Sequence, residues 1–144
     1  MKTFSSSGLG RVLVIRLDQG DMLLESITSA CAEAGFTNAV VVSAIGTLDY
    51  CTMHMVMTTG YPAEEYFAVW EDKPLEVSSI DGIIAAGVPH LHMTVSNHEK
   101  AWAGHLEPGC RILYLGEVVV AELNDLSLER HKNAKGINEL HALG

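Results

Sequence analysis

Pro89-His90-Leu91-His92-Met93-Thr94-Val95-Ser96-Asn97-His98-Glu99-Lys100-Ala101-Trp102-Ala103-Gly104-His105-Leu106 is the stretch from which the fold is read. Side chains along a strand point alternately to opposite faces. In an extended chain His90, His92, Thr94 and Ser96 therefore share one face, and Leu91, Met93 and Val95 make the other face apolar. If residues 97–100 form the turn of a hairpin, with His98 and Glu99 at its tip, Ser96 pairs with Ala101 and His92 faces His105. Directly opposed residues in an antiparallel pair have Cβ atoms about 4.5–5.5 Å apart, and a residue two positions along the same face lies about 7 Å away. His90, His92 and His105 thus converge. The same register sends Trp102 and Leu106 to the apolar face and leaves Ala101 and Ala103 beside the imidazoles, which makes a small-walled polar pocket.

Neutral imidazole nitrogen is a zinc ligand at about 2.0–2.1 Å, and three protein ligands leave a fourth position for water or substrate. His90, His92 and His105 are accordingly candidate ligands for a divalent metal, zinc by donor type. A half-exposed strand face that merely carries histidines has the same pattern, so both readings stand at this stage. Of the other four histidines, His98 falls at the turn tip and His131 and His141 in a polar tail, where solvated side chains are expected. His54 lies on a strand that could approach the cluster, but nothing in the sequence places it there.

Outward from this hairpin, residues 11–17 are rich in β-branched side chains and end in the turn signal Asp18-Gln19-Gly20, which predicts a strand. Asp21 stands where an N-cap would, and Leu23, Leu24, Ile27, Cys31 and Ala34 recur at helical spacing until Gly35, predicting an amphipathic helix over 22–34. Residues 39–45 form an unbroken, mostly apolar run that reads as an interior strand. Over 50–58 Cys51, Met53, Met55 and Met57 alternate with polar and mixed residues, as in a half-buried strand. Pro62 and Pro74 loosen the next region, where a short strand over 66–70 and pieces over 75–79 and 82–86 are expected. Residues 112–123 are nearly all apolar and read as a further interior strand. Glu117 interrupts this run, and a carboxylate there should be paired, exposed or functional. It suits a sheet edge or subunit contact, or else a role orienting an imidazole or moving a proton near metal-bound water.

These elements predict an α+β (mixed α/β) single domain over 1–144, with a largely antiparallel sheet and one main amphipathic helix. The core is expected at about residues 9–125, followed by a polar, peripheral tail over 126–144. The length suits one domain of about 100–150 residues. With 48% hydrophobic and 19% charged residues the chain is not of disordered composition. No apolar stretch reaches the roughly 20 residues of a membrane-spanning helix. The N-terminal residues lack the basic and apolar regions of a secretory signal, and cysteines 31, 51 and 110 include no Cys-x-x-Cys, so a cytoplasmic protein with reduced thiols is expected. Nine Lys and Arg stand against 18 Asp and Glu, a net charge of −9 that disfavours unassisted DNA binding.

The chain resembles the plants-and-prokaryotes-conserved (PPC) domain family over most of its length. The resemblance is carried by Arg16-Leu17 with Gly20-Asp21, Val42-Ser43-Ala44-Ile45-Gly46-Thr47-Leu48, Gly82, and Pro89 through Ser96. It continues with Ala103-Gly104-His105-Leu106, Gly109-Cys110 and Glu117-Val118-Val119. It implies a homotrimer, a family whose members often carry a provisional DNA-binding name, and, for some prokaryotic members, metal at the positions that are here His90, His92 and His105. The Arg-Gly-Arg-Pro core of the AT-hook, the minor-groove element of the plant members, does not occur in this sequence. The expected function is a cytoplasmic, metal-binding ligand-binding or regulatory module with a small-molecule ligand. The alternatives are a DNA-associated regulator, or a metal-dependent enzyme acting on a small polar substrate.

Overall fold

The computed structural model describes residues 1–143. In chain order the elements are β1 (Leu9–Asp18), α1 (Leu23–Glu33), β2 (Ala39–Val56), β3 (Glu65–Ala85), β4 (Val88–Ser96), β5 (Ala101–Leu106), β6 (Arg111–Leu123), β7 (Leu128–Lys132) and β8 (Asn138–Ala142). A six-stranded sheet runs in the order β1-β6-β2-β3-β4-β5, and β7 pairs with β8. All these pairings are antiparallel. The architecture is α+β with the sheet dominant. β5 also pairs with β2, through Met53 opposite Leu106 and His54 opposite His105, so β2, β3, β4 and β5 close into a small barrel-like ring.

The predicted hairpin forms in the predicted register: His92 faces His105, Thr94 faces Ala103 and Ser96 faces Ala101. No glycine is needed at its tip, because Asn97 Oδ1 accepts the backbone N–H groups of Glu99 and Lys100 at 2.9 and 3.0 Å. The helix also forms, but Asp21 does not cap it. The N-cap is Met22, without a side-chain bond, and the Asp21 carboxylate instead accepts the backbone N–H of Asp18 at 2.8 Å. Neighbouring backbone takes over the tethering of this end: Leu23 N–H donates to Cys110 O at 2.8 Å, and Ile112 N–H to Asp21 O at 2.9 Å. The other end closes as expected, with Phe36 N–H donating to Cys31 O at 2.8 Å across Gly35.

Two sequence boundaries vanish in the fold. The strands expected over 39–45 and 50–58 are one strand, because Gly46 continues the ladder opposite Gly116 and Val77 and the bend is absorbed as a bulge between Leu48 and Tyr50. β3 likewise runs through Pro74. Its partners pass from Tyr50–Glu71 to Leu48–Leu75, so residues 72–74 bulge out opposite Asp49 and the missing proline N–H costs no ladder bond. The tail expected to be peripheral folds as the β7–β8 hairpin. Leu128 is buried, and its N–H donates to Asn38 Oδ1 at 2.8 Å. Its polar composition reflects a two-stranded ribbon with one face in solvent.

One core joins the helix to the sheet. Leu23, Ile27 and Cys31 of α1 belong to the same buried cluster as Leu17, Val118 and Val120, and this cluster continues into the ring through Met53, Leu91, Met93 and Leu106. Each such aliphatic side chain contributes about 1.5–3 kcal/mol by leaving water. That burial holds the alternate, histidine-bearing positions of β4 and β5 on the outer side of the ring. Among the described residues no helix is long and apolar enough to cross a membrane.

Candidate metal centre

His105 is the centre of a row of side chains that crosses three strands. It faces His92 on β4 and His54 on β2, and His92 in turn faces Asp81 on β3. Paired residues show their side chains on the same side of a sheet. The rings are correspondingly close. His54 and His105 stack with centroids 4.4 Å apart, and His105 lies 5.1 Å from His90 and 5.4 Å from His92. His90 and His92 are 5.5 Å apart.

Two close backbone approaches make this row possible. A Cβ at Gly104 would stand 2.9 Å from the His54 carbonyl oxygen, so only glycine lets β5 come near enough to β2 to set His105 over His54. At Gly82, where φ is +145°, a Cβ would fall 2.2 Å from His90 O, and glycine again allows β3 to lie against the first histidine of the pair.

The carboxylate of the site is Glu107. Its Oε1 lies 2.5 Å from His54 Nδ1 and 3.1 Å from His105 Nδ1. The second contact lacks hydrogen-bond alignment, and His105 Nδ1 is a buried nitrogen without a hydrogen-bond partner among the described residues. His54, His105 and Glu107 offer donor atoms within 4.8 Å of one another, the closest approach to a metal-ligating set among the described residues. The sequence reading brought His90, His92 and His105 together; their rings lie 5.1–5.5 Å apart, but only His105 of the three belongs to the set of donor atoms within 4.8 Å of one another. It missed Glu107 and left His54 unplaced. The signal for Glu107 was present: the alternation that sets His105 on the polar face returns to that face two residues later. The backbone sustains it, since Glu107 N–H donates to Thr52 O at 3.3 Å and prolongs the β5–β2 ladder. His54 could not be found from its own strand, because only the closure of β5 onto β2 brings it to the cluster.

The electrostatics favour the neutral form of His90 and His105. His90 is held below its ordinary value of 6.5, first by burial and then by the neighbouring His105, Arg130 and His92. His105 is held below 6.5 by burial and by His54, while Glu107 pulls the other way. Neutral imidazole is the form that binds a metal. The buried, partnerless His105 Nδ1 and a donor set of imidazoles with one carboxylate fit a borderline divalent ion such as zinc.

The remaining candidates lie elsewhere. Glu117 is exposed on β6, between Arg16 of β1 and Ile45 of β2. His98 is exposed at the hairpin tip. His131 and His141 are diagonal neighbours on the β7–β8 hairpin, opposite Glu139 and Glu129 respectively, with ring centroids 5.5 Å apart and Glu129 beside His131.

Comparison with known proteins agrees with this architecture. A plant- and prokaryote-conserved (PPC) protein from Pyrococcus horikoshii superposes with a TM-score of 0.81 at 26% identity, covering 100% of this chain and 99% of that one. A structure described as a metal-containing protein from Archaeoglobus fulgidus superposes with a TM-score of 0.80 at 24% identity, covering 96% and 98%, a likeness of fold. The chain is also 29% identical over 137 residues to the bifunctional protein GlmU of Synechococcus sp. (strain JA-3-3Ab), covering 94% of this chain but 21% of that protein. It therefore spans about a fifth of the length of the curated relatives it matches. The model of the Plants and Prokaryotes Conserved (PCC) domain matches residues 4–124, and the chain belongs to this family.

Proposed function

We propose that this protein is a metal-binding member of its family, a ligand-binding or regulatory module that holds one divalent ion, zinc by donor chemistry, through His90, His92 and His105. Glu107 and His54 complete the surroundings of His105: the carboxylate hydrogen-bonds His54 Nδ1 and so fixes the tautomer and orientation of the ring stacked on His105. The observation that carries this reading is the gathering of His54, His90 and His92 around His105, whose buried Nδ1 lacks a partner among the described residues. The description of the Archaeoglobus protein as metal-containing supports it. A bound ion would supply a Lewis-acidic position for a small polar ligand.

The assembly proposed is a homotrimer in the cytoplasm. Its support is the outer face of β1, β6 and β2, where Val12, Val14, Val42, Ile45, Tyr114 and Leu115 are each about half exposed or more. An exposed apolar patch of this kind marks an interaction surface. Glu117 and Arg16 stand on the same face, the position of a subunit contact.

Elemental mass spectrometry on protein purified without a nickel column tests the metal reading. About one metal per chain is expected in the wild type and none in a folded His92→Ala variant. Full occupancy in that variant, or none in the wild type, overturns the three-histidine site.

A further inference from the structure

We infer that Arg130 forms an oxyanion subsite beside the histidines, so that the ligand of this centre is a small molecule with a phosphate or carboxylate end. The inference rests on the proposed metal reading for what lies next to the anion, and on Arg130 alone for the anion itself.

Arg130 comes from β7, outside the family-matched residues 4–124. The β7–β8 hairpin carries it against the end of the β3–β4 ribbon. There its guanidinium donates to Val88 O at 3.0 Å and to Ile83 O at 3.2 Å. Both acceptors are neutral backbone carbonyls. Arg11, Arg16 and Arg111 each meet a carboxylate, whereas no carboxylate among the described residues lies within salt-bridge distance of Arg130. A guanidinium has five N–H donors and stays charged in proteins. Two bonds to carbonyls anchor it and leave donors and the whole charge uncompensated.

The free side of this cation opens on the histidines. Arg130, Asn138 and Leu140 of the hairpin form one wall of a shallow cleft, opposite Gly82, His90 and His92. Asp81 of β3 pairs with His92 and is exposed. In a chain of net charge −9, an unneutralised and partly buried arginine facing a cleft is the exception that needs a counter-ion. A planar guanidinium matches two oxygens of a phosphate or carboxylate in a fork. Such an anion placed against Arg130 would set the remainder of its molecule over His90 and His92.

The test is isothermal titration of the full chain with inorganic phosphate and, in parallel, with malonate. Each is run on metal-free and metal-loaded protein, for wild type, Arg130→Gln, Arg130→Lys and His92→Ala. Gln keeps an amide donor for the carbonyls while removing the charge, and amide exchange at Leu128 reports whether the hairpin stays docked. One anion per wild-type chain is expected, weakened about tenfold or more in Arg130→Gln and far less in Arg130→Lys. Binding that survives metal removal and His92→Ala yet falls in Arg130→Gln upholds the subsite even if the metal reading fails. Anion binding that is absent from the wild type, or unchanged in Arg130→Gln with the hairpin docked, overturns it whatever the metal content.

Discussion

His54 lies stacked on His105, ring centroids 4.4 Å apart, although 51 positions separate them in the chain and their strands pair only over this short stretch. The contact exists because Gly104 lets β5 ride against the backbone of β2. A β-branched side chain at 104 would meet backbone, which cannot move aside as a flexible side chain can. Gly104→Val is therefore expected to lower stability by about 1–3 kcal/mol and to part His105 from His54. Urea denaturation and the imidazole signals in NMR read the two effects, and an unchanged midpoint would contradict the close approach.

Glu107 bridges the two stacked rings from one carboxylate oxygen. Glu107→Gln keeps the shape and removes the charge. Competition against a chromophoric chelator should show zinc affinity falling by about 10–100-fold, the range for partners that orient a metal-binding imidazole. Equal affinities would mean that Glu107 is only a surface neighbour.

Acid should weaken the metal-free protein through His90 and His105. Both are held below their ordinary 6.5 in the folded state, so as pH falls through that value the unfolded chain takes up protons first. Their contribution to stability is complete above the unfolded value and is lost as pH falls towards the folded values. Urea midpoints should drop between about pH 7.5 and pH 5.5 more steeply in the wild type than in a His90→Asn/His105→Asn variant. Equal slopes in the two proteins would remove this role.

Val14 is 69% exposed at the middle of the apolar outer face. In a trimer built on that face, Val14→Lys places three ammonium groups in the contact. Sedimentation should show three chains for the wild type and a single folded chain for the variant. A variant that still sediments as a trimer would move the interface elsewhere.

Local sequence determined much of this molecule. The alternation from His90 to Leu106 separates an apolar from a polar face, and burial of Leu91, Met93, Val95 and Leu106 admits only one register in which that separation holds across the hairpin. The helix, its stop at Gly35 and the strands β1 and β6 follow from equally local patterns. Tertiary structure decided what depends on distant segments meeting. The merging of 39–45 with 50–58 rests on the neighbouring strands β3 and β6, which carry the ladder across Gly46. The capture of His54 and Glu107 rests on β5 closing onto β2. The arrival of Arg130 beside the histidines rests on a polar tail docking through Leu128. Periodicity records which way a side chain faces along its own strand, but it holds no record of which strand will come to lie beside it.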